Sequence, residues 1–196
     1  MLKGNRYFVS LLLFLHSFSW SYALVSENDN NQWKEKALEL NYPTPPGNEH
    51  SLFYVQRSKN TNAIVYESNL LPDGTLNPND PVRIYWISYS TDSSISDLSY
   101  IQKHYAYGLD FKAVEGKEGN FILNFVSYDK KKFYLVPKKE GKSFQALTMI
   151  NGKMAILERV FIKIEGGSFW FPEISDIEMR GHDPQTKEEV VEHFKP

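Results

Sequence analysis

The chain contains no cysteine in 196 residues. That excludes a disulfide framework, thiolate metal sites, a cysteine nucleophile and a lipid-bearing N-terminal cysteine. Histidine is sparse, and His50, His104, His182 and His193 lack the paired spacing of a zinc site, such as i and i+4 on a helix. The sequence predicts no metal site. There is no Gly-x-Ser-x-Gly, no phosphate loop and no dinucleotide fingerprint, so no motif calls for a cofactor. Long hydrophobic runs are missing too. The one apolar stretch, at 7–18, is short for a membrane helix, which needs about 20 residues.

A basic surplus is also absent. The first 23 residues read as an export signal: Lys3 and Arg6 form a positive start, the apolar stretch follows, and Ser21 and Ala23 place small residues at a cleavage site. Removing Lys3 and Arg6 from the 22 basic residues leaves 20 against 24 acidic ones, a net charge of −4 with histidine neutral. No basic stripe remains to neutralise phosphates, which argues against a nucleic-acid partner. The mature chain is expected in the periplasm or outside the cell, not as a lipoprotein and without a membrane-spanning helix. At about 173 residues it is long enough to bury roughly 70% of its unfolded surface without crosslinks.

What is present is a series of strands. Residues 24–50 form a lead-in, with a short helix expected at 32–40 from the spacing of Trp33, Ala37 and Leu40, then a stiff run through Pro43, Pro45 and Pro46. A single β domain is expected over 51–196. Alternating or continuous apolar patterns mark strands at 52–57, 63–67, 82–89, 109–114, 120–128, 133–137, 143–150, 154–164, 168–171, 174–180 and 187–194. Their joints are too short for parallel crossovers. Asn151-Gly152 is the sharpest of them, a two-residue turn that needs positive φ at both positions. Asp97 and Gly108 bracket a predicted helix whose stripe is Leu98, Ile101 and Tyr105.

The fold class is therefore all-β: an antiparallel meander forming a sandwich or a partly closed barrel, with one inserted helix capping a face or an open end. Phe121, Leu123 and Phe125 on one face and Ile122 and Val126 on the other require parts of the sheet to be covered on both sides.

The stretches PPGNEHSLFYVQRSKNTNAIVYESN, DPVRIYWISY, LSYIQKHYAYG, FVSYDKKKFYL, INGKMAILERVFIKIEGGSFWFPEI and GHDPQTKEEVVE, in this order, span nearly everything from Pro45 onward. In them the chain resembles an uncharacterised bacterial family of exported proteins, the domain of unknown function 4833. The resemblance implies a shared architecture and export, and brings no activity or site residues.

Five residues are candidates for a binding site. Trp86 and Trp170, the latter inside Phe169-Trp170-Phe171, are placed to stack on a ligand ring, although two-sided core strands favour the same residues. Gln56 and Arg57, at a strand end, have planar donors suited to a carboxylate or phosphate. The commoner use of such residues is to tie a loop to a sheet. Glu158 falls in phase with Met154, Ile156, Val160, Ile162 and Ile164. A buried carboxylate there needs a partner such as Arg57 or Arg83, unless a bulge at Glu158-Arg159 flips the phase and returns it to water. The lysines at 130–132 read as solvating a turn.

Three functions fit. The first is a non-enzymatic binding or interaction module of the cell envelope, with a small molecule or an envelope protein as partner. The second is a carrier of an apolar small molecule in a barrel interior. The third is a hydrolase using Glu158 with Arg57 and a histidine.

Overall fold

A computed structural model describes residues 42–90, 92–138, 143–168 and 171–196. The expected export signal at 1–23, the helix at 32–40, Phe169 and Trp170 lie outside the described residues.

Among the described residues the elements are eleven strands and one helix: β1 (Ser51–Arg57), β2 (Asn60–Ser68), β3 (Val82–Ser88), β4 (Ser94–Asp97), α1 (Tyr100–Tyr105), β5 (Leu109–Ala113), β6 (Phe121–Phe125), β7 (Tyr128–Pro137), β8 (Phe144–Ile150), β9 (Lys153–Gly167), β10 (Pro172–His182) and β11 (Glu189–Phe194). They form a single sheet with the order β4-β3-β2-β1-β9-β8-β7-β6-β5, to which β10 and β11 add beside β9. The sheet is curled into a half-barrel, and the protein is all-β as the strand pattern predicts. One pairing departs from the meander. Tyr54 to Arg57 of β1 lie parallel to Arg159 to Ile162 of β9. The long chain between them makes this possible, because parallel neighbours need an extended crossover.

Strand β9 is the spine. Ile156 pairs with Leu147 of β8 and with His182 of β10, while residues 159–162 pair with both β1 and β10. One edge of β9 therefore carries β10 throughout, and the other carries β8 first and β1 next. The two wings that fork from this edge face each other. Phe53 of β1 stacks on Tyr66 of β2 at 4.3 Å and on Phe133 of β7 at 5.8 Å. Phe125 of β6 stands edge-on to Phe53, Tyr66 and Phe133 at 6.2, 5.8 and 5.1 Å. Offset and edge-to-face pairs of this kind add about 0.5–1.5 kcal/mol each beyond burial. The wings are locked together by this cluster.

The predicted bulge is present. Arg159 pairs with Arg180 and Leu157 with Gly181, so Glu158 has no residue opposite it. The extra residue flips the phase: Ala155 and Leu157 are buried before it, and Val160 after it. The expectation that Met154 continues the buried face is thereby corrected, as Met154 is 41% exposed.

Other boundaries also differ from those expected. The expected strand at 120–128 ends at Phe125, because the next residues are tied elsewhere: the Val126 amide donates to the Gly108 carbonyl at 3.0 Å and the Ser127 hydroxyl to the Ala106 carbonyl at 2.6 Å. β7 then starts at Tyr128, so the lysines at 130–132 lie in a strand and not in a turn. Ser99, not Asp97, caps the helix through a capping box with Gln102, and Asp97 closes the unexpected strand β4. Gly108 is required where predicted, since a Cβ there would sit 1.8 Å from the Lys103 carbonyl oxygen. Asn151 and Gly152 take φ of 48° and 75°, as the turn demands. Finally, of the expected strand at 168–171 only Ser168 and Phe171 are described, and neither is in a strand. Gly166 and Gly167 end β9, Gly167 pairs with Pro172, and Phe171 is 83% exposed beside the joint. Among the described residues no helix is long and apolar enough to cross a membrane.

Candidate ligand cavity of the half-barrel

Beyond the aromatic lock, the two wings diverge and leave a cavity of about 1190 Å³. Ligand pockets usually have about 300–1,000 Å³. Alternation along each strand decides what lines it. β1 contributes Val55 and Arg57, β9 contributes Val160, Ile162 and Ile164, and β10 contributes Ile174, Ile177 and Met179. Phe125 and Phe133 form the floor, with Tyr128, Lys131 and Phe194 on the side opposite β1. Ile101 and Tyr105 of the helix, Tyr107 after it and Phe171 also border the space. Among the described residues no aspartate or glutamate lines it.

The helix owes its exposure to this position. None of its residues is buried, and Tyr100, Ile101 and Tyr105 are all exposed, whereas Leu98 just before it packs on the core. The helical stripe is real as a pattern, but it faces an open mouth and not a packed layer.

Arg57 is the cavity cation whose described partners are all neutral. Its Nη1 donates to the Tyr107 hydroxyl at 2.9 Å, and its guanidinium lies 5.5 Å from the Trp86 ring centroid. Trp86 and Tyr107 in turn meet edge-on at 5.6 Å. Burial pushes the Tyr107 phenol above its ordinary pKa, although the Arg57 charge and hydrogen bond pull the other way. Tyr66, buried and raised well above 10 for the same reason, donates to the Tyr107 backbone carbonyl at 2.7 Å and fixes that residue from below. One ring contact and one hydrogen bond thus hold the guanidinium. Among the described residues no carboxylate reaches it.

The other cations at the cavity are committed. Lys131 Nζ lies 2.7 Å from Glu192 Oε2, donates to the Met149 carbonyl at 3.2 Å and sits 5.1 Å from the Phe194 ring centroid. Burial alone would raise the Glu192 pKa, but the Lys131 hydrogen bond, the Asn151 amide and the Lys131 charge outweigh it and hold it below its ordinary value. Lys59 is exposed in the β1–β2 turn and donates to the Glu165 carbonyl at 2.6 Å.

The five sequence candidates scatter over this frame. Arg57 lines the cavity and Trp86, a core residue, supports it. Gln56 does not join Arg57 in a grip, because neighbours on a strand face opposite ways. It is buried on the convex side, donating to the Pro43 carbonyl at 2.8 Å and accepting from Arg159 Nε at 3.0 Å. Glu158 sits at its bulge with half its side chain exposed, 2.7 Å from His182 Nδ1. Neither expected arginine reaches it: Arg57 is turned to Tyr107 and Arg83 lies over Tyr85. Trp170 lies outside the described residues, between Ser168 and Phe171, which border the mouth. His182 and His193 do not face each other; His193 Nδ1 binds Asp176 at 2.9 Å instead. Among the described residues no group of three or more His, Asp or Glu is arranged to hold a metal.

Tyr107 and Lys131 were missed from sequence. For Lys131 a signal existed, since Lys131, Phe133 and Leu135 alternate in one phase and a strand reading would have put its stem on the inner face. Nothing local marks Tyr107, whose role comes from a contact fifty residues away in sequence.

Fold and cavity define an all-β half-barrel protein whose wings meet at an aromatic floor and part above it around an apolar space. The chain belongs to the family described as "Domain of unknown function (DUF4833)", which matches residues 53–193. No curated protein and no solved structure matches it.

Proposed function

We propose that this is an exported, non-enzymatic carrier that holds an apolar small molecule in the half-barrel cavity. The observation that carries the reading is the contrast within one interior. The same curled sheet packs Phe53, Tyr66 and Phe133 to near-complete burial, yet leaves about 1190 Å³ between aliphatic walls a few residues further along. Apolar walls without partners forfeit dispersion contacts and stay in contact with water, and an apolar guest restores both terms. The signal-like segment at 1–23 supports export to the periplasm or beyond.

Native mass spectrometry of the mature protein, gently purified from its own cells, tests this directly. A reproducible adduct of fixed mass is expected. Uptake of the uncharged probe N-phenyl-1-naphthylamine, with its fluorescence rise, is expected from the emptied protein. Ile162→Trp, which fills the cavity from one wall, abolishes that rise while the chain still melts cooperatively. A protein that carries no adduct and gives no fluorescence rise is not a carrier.

The interaction-module reading keeps one observation in its favour. Phe171, Tyr105 and Ile101 are 83%, 68% and 43% exposed and border the mouth, a surface suited to contact with a donor or acceptor of the cargo.

A further inference from the structure

We infer that the cargo is an amphiphile with an anionic head, a carboxylate or a phosphate monoester on a hydrocarbon tail, and that Arg57 binds the head. The inference rests on the carrier reading and names its ligand class.

Three observations carry it. First, the cavity is chemically lopsided: its walls are aliphatic and aromatic, and among the described residues no aspartate or glutamate lines it, while the charged side chains that do are Arg57, Lys59 and Lys131. Second, the three cations differ in availability. Lys131 is neutralised by Glu192 at 2.7 Å, and Lys59 is exposed with its ammonium on a backbone carbonyl. Arg57 is half-buried and has no carboxylate within reach among the described residues. An arginine keeps its charge at any physiological pH, so it cannot relieve its burial by losing a proton. Third, Arg57 is oriented before any ligand arrives. Trp86 and Tyr107 hold the guanidinium, and only one of its five N–H donors is engaged by a described side chain. A fixed planar fork is the geometry that binds a carboxylate or phosphate through two parallel hydrogen bonds.

The position of Arg57 sets the ligand's direction. It ends β1, next to the Ser58–Lys59 turn, whereas Val55 and Phe53 lie progressively deeper on the same face. The head therefore stays near the mouth and the tail runs inward between β1, β9 and β10 toward Phe125 and Phe133. Lys59 adds a second positive charge outside Arg57 and favours anions over neutral lipids on the approach.

Competition against N-phenyl-1-naphthylamine separates this inference from the carrier reading beneath it. The competitors are oleate, oleoyl lysophosphatidate and oleyl alcohol, which share a tail and differ at the head. A hydrogen-bonded charge is worth about 1.5–3 kcal/mol, so at least one of the two anions should outcompete the alcohol by about tenfold or more. Which anion is stronger identifies the head as carboxylate or phosphate. Arg57→Gln should bring anion and alcohol to within about threefold of each other, read as the ratio of the two competitors on the same variant. If Arg57→Gln fails to fold, the wild-type ratio still decides the charge, and Arg57→Lys, which keeps the cation without the planar fork, decides the residue. Oleyl alcohol competing as well as both anions overturns the anionic head and leaves the carrier reading standing. No uptake of the probe at all overturns both.

Discussion

Gln56 and Arg57 are neighbours in the chain and opposites in the fold. On the convex face, Gln56 is engaged at both ends of its amide: it donates to Pro43 and accepts from Arg159, and Arg159 lies over Phe161 and within 3.7 Å of Glu178. Around them Arg180 meets Glu178 at 3.4 Å and Glu189 at 2.9 Å. Charge on that face meets charge, although Glu178 Oε1 and Arg180 Nε are buried there without a hydrogen bond. On the concave face, Arg57 stands in an apolar cavity with a phenol and an indole for company. A strand that alternates between a compensated face and an uncompensated one divides structure from binding along its own length. What sets Arg57 apart is that its described partners are neutral and that it borders a cavity, where donors to spare can meet something from outside.

The contrast also runs along the interior, from the locked floor to the open cavity, and stability measurements can break it. Phe133, 1% exposed and wedged against Phe53 and Phe125, should cost about 3–5 kcal/mol when cut to alanine. Ile162→Ala, on the cavity wall, removes a half-buried side chain that already borders empty space. About 1 kcal/mol is expected there, because little new cavity is created. Urea denaturation of the two variants checks the ratio. Equal losses would mean that the floor and the wall are packed alike and that the cavity is filled in solution.

Next in size are the two neighbours themselves. Gln56→Ala leaves the Pro43 carbonyl and Arg159 Nε short of a partner in a buried setting, a loss of about 1–3 kcal/mol, with binding of the neutral probe intact. Arg57→Gln removes one hydrogen bond and one ring contact, so its melting transition should move by about 1 kcal/mol or less while anion binding falls. A variant pair with these effects reversed would assign the binding role to the convex face.

The strand pattern was legible because alternation and turn chemistry are local. Asn151-Gly152, Gly108 and the Glu158 bulge all follow from residues within a few positions of one another. The shape of the sheet was not, because it depends on the parallel pairing of β1 with β9, which joins residues about a hundred positions apart and leaves no mark on either strand. The candidate site was legible in the same partial way. Arg57 was visible as a donor at a strand end, but its separation from Gln56 follows only once the strand's two faces are assigned. Its support by Trp86 and Tyr107 follows only from the curl that brings β3 and the residue after the helix beside β1. Phe171 was misjudged for a physical reason as well. Three aromatics in a row suggest a two-sided strand, but the glycines before them belong to β9, and the Ser168 amide donates to the Phe171 carbonyl just ahead of β10.

The smallest effect expected sharpens the comparison between Arg57 and Lys131, the two lining cations that lie on strands. Lys131 is answered by Glu192, and Glu192 has a folded-state pKa below its unfolded one. The stabilisation from that carboxylate is therefore full above the unfolded value of about 4.3 and fades as pH falls through the lower, folded value. Glu192→Gln should be slightly less stable than the wild type at pH 7, and the two should converge as the pH is lowered through that window. The measurement is the unfolding free energy of both chains by urea at steps from pH 7 to pH 3. Arg57→Gln, having no carboxylate to release, should track the wild-type profile in parallel. If Arg57→Gln instead converged with the wild type on acidification, Arg57 would have an acidic partner within the chain, and its cavity would already supply what the proposed ligand is meant to bring.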